Sequence, residues 1–260
     1  MKDLVKKLGF SKPMDVGIEI LLDEEDRKTI SIPSVNENSE NIFRKIPLYT
    51  GEEDIKGKLI IRPRSGKVDH SGIRIRLVGV IEVVNGSQPD SEFMTNGQDV
   101  EPAGVLFDQK QYDFSFTGFQ KPYDSFYGTS FRIKYVIRAG IYKNRNDIDV
   151  YKEFDIGVIS PLKKAIPASQ PILMEVGIDN LLNIIIDIPK NIFELKDFIE
   201  GVINFSLIKM TIQKMDFLII RKEIIGIGDK AIIQTEEVNS FEVMDGSPIN
   251  GILIRGSHSN

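Results

Sequence analysis

The sequence has no cysteine at all, and its only imidazoles are those of His70 and His258. Without thiols there are no disulfide frameworks, thiolate metal sites or cysteine nucleophiles, and the composition fits a reducing compartment. With so little histidine, a histidine-centred general base or zinc site is not expected. No catalytic residue, metal or cofactor is therefore expected. No stretch approaches the ~18 apolar residues that a membrane-crossing helix needs. The opening segment "MKDLVKKLGF" also lacks the apolar middle of a secretory signal. These absences predict a cytoplasmic protein. A formal charge of −5 does not suggest nucleic acid as a partner.

What is present is alternation. In "SGIRIRLVGVIEVVNG" the residues Ile73, Ile75, Leu77, Ile81 and Val83 share one face, while Arg74, Arg76 and Glu82 share the other. A period of two means strand, and Asn85-Gly86 reads as the turn that follows it. The same pattern returns in "RIKYVIRAGIYK", "VYKEFDIGV" and "GVINFSLIKMTIQKMDFLIIRK", and no segment sustains a helical period, so helices are expected to be minor. With 260 residues the chain is long enough for two cores of ordinary size. Pro161, Pro167 and Pro171 interrupt the stretch between the two β-rich halves. Each removes a backbone donor and biases its predecessor towards extended conformations. The expected organisation is an N-terminal unit over 1–160, a linker over 161–171 and a second unit over 172–260.

The halves read as versions of one unit. Ile55-x-Gly57-x-Leu59 in the first corresponds to Ile199-x-Gly201-x-Ile203 in the second, each followed by an alternating strand. A glycine at such a place marks a close approach of two strands or a bulge. By this comparison the second unit lacks its closing strands. After the "VMDGSPING" turn only "ILIR" begins a strand, and "RGSHSN" follows as a small polar tail.

Few motifs carry chemistry. The glycines of "EIIGIGDK" read as a strand-end turn, since no Gly-Lys-Ser/Thr follows. Adjacent carboxylates such as Glu24-Glu25, Glu52-Glu53 and Glu236-Glu237 read as solvated loop charges. Lys56, Lys58, Arg62, Arg64 and Lys67, with Arg74 and Arg76, form a basic cluster in an acidic chain. They read either as the solvent face of two strands or as a contact for an anionic membrane surface or acidic partner. Leu4, Val5 and Leu8 fall on one side of a short N-terminal helix, a weaker membrane candidate. Val243-Met244 before Asp245-Gly246 is either a hairpin tip with methionine packed beneath it or an exposed apolar knob for a partner.

The blocks "HSGIRI", "YDFSF", "KPYDSFYG", "EFDIGV", "MEVGID", "LKDFIEG", "IRKEIIGIG" and "VMDGSPING", in this order, resemble the vacuolar protein sorting-associated protein 26 family, the arrestin-like subunit of retromer. The resemblance runs from about Met14 to Gly251. It implies an all-β fold of two arrestin-like β-sandwiches joined by a short linker, the second here without its last strands. It also implies a non-enzymatic subunit of the cargo-recognition complex, peripheral on endosomal membranes, in retrieval of transmembrane cargo from endosome to Golgi or cell surface. Its implied partners are a large α-solenoid subunit (vacuolar protein sorting-associated protein 35), sorting nexins and transmembrane cargo tails. Val243, Met244, Asp245 and Gly246 match the loop that contacts the solenoid, which favours the knob over the packed tip. Met174, Glu175, Val176 and Gly177 match the stretch near which cargo and a sorting nexin are held, where a free strand edge would pair with an extended peptide. The chain departs from the family at Tyr49-Thr50-Gly51-Glu52, which lacks a charge at a position associated with an accessory sorting nexin. It departs again after "PING", where members continue and "RGSHSN" resembles none of them. The readings set against this are a free-standing arrestin-type adaptor, whose usual Pro-Pro-x-Tyr motif is absent, and a ligand-binding or enzymatic β-sandwich.

Overall fold

The computed structural model describes residues 14–259 except 24–25, 36–39, 65, 85–88, 145–146, 160–167, 195, 227, 229–230 and 247–252; the side chains of 35, 147, 245 and 253–259 are also outside the description. The expected Asn85-Gly86 turn, Glu24-Glu25, the N-terminal helix, Pro161 and Pro167 thus lie outside the described residues. The described residues contain no α-helix. The strands are β1 (Val16–Leu22), β2 (Thr29–Val35), β3 (Asn41–Thr50), β4 (Ile55–Pro63), β5 (Val68–Val83), β6 (Ser91–Leu106), β7 (Lys110–Phe116), β8 (Phe126–Tyr127), β9 (Phe131–Asn144), β10 (Asp147–Ile159), β11 (Ile172–Ile178), β12 (Leu182–Ile188), β13 (Phe198–Ile208), β14 (Lys214–Ile225), β15 (Ile232–Asp245) and β16 (Leu253–Ser259). The chain divides into two compact units, Met1–Lys163 and Lys164–Asn260.

The first unit carries a three-stranded sheet, β1-β4-β7, and a seven-stranded sheet ordered β2-β3-β10-β9-β5-β6 with β8 beside β9. Alternation explains the core between them. Ile55, Leu59 and Ile61 of β4 are fully buried with Ile73, Ile75 and Leu77 of β5 and Tyr135, Ile137 and Ile141 of β9, while Lys56, Lys58 and Arg62 face outwards. Gly57 is required where β4 passes β1, because a Cβ there would lie 2.2 Å from the Leu21 carbonyl oxygen and 2.8 Å from the Phe114 ring. The opposite face of the large sheet is not wholly solvated. Val78 and Val80 of β5 and Val136 of β9 form a second buried cluster there. Long cross-strand ion pairs flank it: Arg138 reaches Glu92 at 2.8 Å and Glu153 at 2.6 Å.

The second unit holds a four-stranded sheet, β11-β12-β13-β16, and a two-stranded ribbon, β14-β15. The polar tail expected after "ILIR" is instead part of a strand. β16 runs through Arg255-Gly256-Ser257-His258-Ser259 and pairs antiparallel with Phe198–Asn204 of β13. Backbone hydrogen bonds to a ready-made edge do not need apolar side chains, so the period-two pattern stops before the strand does. Gly201 of β13 lies close to β12, where a Cβ would come 3.2 Å from the Asp187 carbonyl oxygen. It thus repeats the role of Gly57 in a looser form.

Candidate partner-binding sites

Val243 and Met244 are not at a free tip. Both lie in β15, half-buried, opposite β14. Met244 pairs with Met215 and Glu242 with Asp216, so Val243 faces no partner and forms a β-bulge. A bulge adds twist and re-aims the side chains around it. The strand ends at Asp245, opposite Lys214, and Gly246 follows with φ 93°. The Gly246 N–H donates to the Gln213 carbonyl at 2.9 Å and closes the ribbon end. This left-handed conformation is what glycine permits cheaply. The four residues therefore sit together on a twisted ribbon end, and the following "SPING", residues 247–251, lies outside the described residues. A second bulge leaves Val238 unpaired between Asn239 and Glu237. Along the ribbon Leu218, Ile220, Ile224, Ile233 and Val238 are all exposed.

Met174, Glu175, Val176 and Gly177 occupy β11, an edge strand whose one neighbour in its sheet is β12. Every residue from Leu173 to Ile178 is exposed. Glu175 accepts a hydrogen bond from the Asn183 amide at 2.7 Å. Gly177 allows the hairpin to close, since a Cβ there would lie 2.4 Å from the Leu182 carbonyl oxygen. An exposed edge of this kind presents backbone N–H and C=O groups for one more strand.

The basic cluster is gathered only in part. Lys56, Lys58 and Arg62 share the outer face of β4, and Arg64 and Lys67 are exposed in the loop that leads to β5. Acidic partners interleave with them. Arg62 pairs with Glu19 at 2.5 Å and donates to the Gln109 side chain at 2.7 Å, and Asp113 stands opposite Lys58. Such pairs are worth little to stability and lower the surface potential that an anionic membrane would meet.

Tyr49-Thr50-Gly51-Glu52 has a structural role that residue types did not reveal. Tyr49 is buried, and the Arg27 guanidinium lies 3.7 Å from its ring centroid. Arg27 pairs with Glu53 at 2.7 Å. Arg27 holds the Glu53 carboxyl below its ordinary pKa, helped by the Thr50 N–H at 2.9 Å. Glu53 is thus pinned rather than a freely solvated loop charge. Beneath it Lys121, only 2% exposed, donates to the Glu53 carbonyl at 2.7 Å and the Gly51 carbonyl at 3.3 Å. Burial lowers its pKa, while Glu53 and Asp54 oppose that shift. No sequence pattern marks a lysine for burial, and the pairing of Arg27 with Glu53 leaves no periodic signal either.

Among the described residues no group of three or more histidine, aspartate or glutamate side chains is placed to hold a metal ion. No helix among them is long and apolar enough to cross a membrane. Comparison with known proteins gives a consistent picture. The sequence model of the family described as vacuolar protein sorting-associated protein 26 matches residues 10–255. The chain is 33% identical over 246 residues to vacuolar protein sorting-associated protein 26 of Dictyostelium discoideum, covering 94% of this chain and 68% of the relative. It is 31% identical over 239 residues to the protein of that name in Plasmodium falciparum, covering 92% and 78%. To human vacuolar protein sorting-associated protein 26B it is 32% identical over 245 residues, covering 94% and 70%.

Proposed function

The chain belongs to the vacuolar protein sorting-associated protein 26 family, a sorting family rather than an enzyme family, and from that premise we propose that it is a non-enzymatic subunit of the retromer cargo-recognition complex. In this reading it works at the cytoplasmic surface of endosomes and is held there through its complex. It takes part in returning transmembrane cargo to the Golgi or the cell surface.

The observation that carries the reading is the family match from residue 10 to 255, which runs through both units. The all-β architecture agrees with it. Two surfaces would serve the partners. The end of the β14-β15 ribbon, with Val243, Met244, Asp245 and Gly246, would meet the α-solenoid subunit, vacuolar protein sorting-associated protein 35. The bulge at Val243 supports this, because a distorted strand end with half-buried apolar side chains offers more to a partner than a regular one. The exposed β11 edge, Met174 to Gly177, would accept an extended cargo tail, with a sorting nexin nearby. Lys56, Lys58, Arg62, Arg64 and Lys67 would add a weak contact with anionic lipid once the complex is concentrated on a membrane.

The test is direct binding of the purified chain to the purified solenoid subunit. V243E/M244E is expected to weaken binding by about 100-fold, the scale of losing an apolar anchor. A β11 variant, V176E, is expected to leave it unchanged. Equal affinity of the double variant and the parent would overturn the assignment of the ribbon end.

A further inference from the structure

A cleft of about 250 Å³ opens on the first unit, where β2, β3 and β10 meet β8 and β9; Arg44, Arg132, Lys134, Tyr127, Asp155 and Ser34 line it. The strand pairing brings these groups together. Tyr127 of β8 is the cross-strand partner of Arg132, and Lys134 follows two residues on, on the same face of β9. Arg44 of β3 is held by an ion pair with Asp155 of β10. Glu82 of β5 pairs with Lys134 and lies 3.4 Å from Arg132. Three cations therefore share two carboxylates, and one positive charge is left over.

Two donors in the same cleft have nothing to donate to. The Tyr127 hydroxyl and the Arg132 Nε are buried without a hydrogen-bond partner. Buried donors of this kind are uncommon and costly, and each calls for an acceptor. Burial, reinforced by Asp155, raises the Tyr127 pKa to about 12, so the phenol remains a donor at neutral pH. A water molecule would satisfy a donor but not the surplus charge. An oxyanion does both.

We propose that this cleft binds a phosphomonoester, with Lys134 and Arg132 meeting its charge and the Tyr127 hydroxyl and Arg132 Nε donating to its oxygens. The volume admits the phosphoryl group and a small carrier. Charged-group geometry favours it over a carboxylate, since three acceptor oxygens suit a phenol and a guanidinium edge at once. The site shares no residue with the ribbon end, the β11 edge or the outer face of β4, and it stands whether or not the retromer reading does.

The test is titration of the whole chain with inorganic phosphate and with glycerol 3-phosphate at fixed ionic strength, read by calorimetry and by shifts of the β8 and β9 amide signals. Saturable binding is expected, stronger above the second phosphate pKa of about 6, where the ligand is a dianion. K134Q is expected to weaken it about tenfold and Y127F several-fold, while K209Q, at an exposed lysine of the second unit, changes nothing. Y127F removes an unpartnered hydroxyl, so its unfolding midpoint is expected to equal or exceed the parent's, which separates loss of binding from loss of fold. Sedimentation with phosphatidylcholine vesicles, with and without phosphatidic acid, then distinguishes a lipid headgroup from a soluble ligand. Absence of saturable binding to phosphate, glycerol 3-phosphate and phosphatidic acid vesicles alike would overturn the proposal. So would parent-like affinity in both Y127F and K134Q, or an equal loss in K209Q.

Discussion

Gln98 of β6 holds the backbone of Ser115 on β7 with both ends of its amide: Nε2 donates to the Ser115 carbonyl at 2.7 Å and Oε1 accepts from the Ser115 N–H at 3.3 Å. β6 and β7 are edge strands of different sheets, so one side chain replaces the missing strand neighbour and ties the two layers at that side. Lys110 and Glu101 make a second tie between the same strands at 2.5 Å. Gln98→Leu is expected to cost about 1–3 kcal/mol, because it leaves two backbone groups unsatisfied. The expected signature is faster amide exchange at Ser115 with the rest of β7 protected by β4. Unchanged exchange at Ser115 would show that solvent already satisfies it.

Lys121 ties the Tyr49–Glu53 segment from below. Lys121→Met keeps most of the apolar stem but strands the Glu53 carbonyl oxygen, while the Gly51 carbonyl keeps the Lys121 backbone N–H at 2.8 Å. The expected loss is about 2–4 kcal/mol, measured by denaturant unfolding. Arg27→Met is expected to lose less, since Arg27 acts partly through Glu53, which is one-third exposed. A parent-like midpoint for Lys121→Met would mean that water replaces the amine.

His70 gives a pH dependence with a definite sign. It is 6% exposed, both ring nitrogens lack partners, and Glu101 stands 4.0 Å from Nε2. Burial lowers its pKa below 6.5; the neighbouring Lys110 lowers it too, while Glu101 and Asp69 pull the other way. The unfolded chain therefore binds a proton more readily than the folded one. Stability from this group is complete above about pH 6.5 and falls as the pH drops below it. His70→Phe is expected to flatten the dependence below about pH 6.5. A slope that stays the same in the variant would assign it to other groups.

The core of the first unit was legible because side-chain period and burial coincide: Ile73, Ile75 and Leu77 point inwards as their alternation requires, and Gly57 marks a close strand crossing. Val78 and Val80 were not legible as buried. Their cover comes from Val136 and from ion pairs on distant strands, which no local pattern encodes. Lys121 and the Arg27–Glu53 pair escaped for the same reason. At the ribbon end the turn chemistry of Asp245-Gly246 was readable, but the bulge at Val243 depends on β14 and was not. The tail failed in the other direction, since β16 is held by the backbone of β13 and its sequence carries no alternation.

The two units are expected to differ in stability. Among the described residues the buried apolar side chains belong almost entirely to the first unit, and the second contributes only Ile184 and Phe205. Leu173, Val176, Ile178, Phe198, Ile220, Ile224 and Ile233 of the second unit remain exposed instead. Apolar burial at about 25 cal/mol per Å² is the main term opposing chain entropy, so a unit that buries so few side chains opens at lower free energy. Backbone pairing in β11-β12-β13-β16 holds the strands in register but contributes little net stability by itself. Native-state amide exchange is expected to give β5 and β9 the highest protection and β14, β15 and β11 much less, with β12 and β13 between them because they carry Ile184 and Phe205. Under the proposed contact with the solenoid subunit, its addition is expected to raise protection in β14 and β15 selectively, since a partner covering their exposed face would stabilise the bound form by mass action. Equal protection in β5 and β14 of the free chain would refute this ordering.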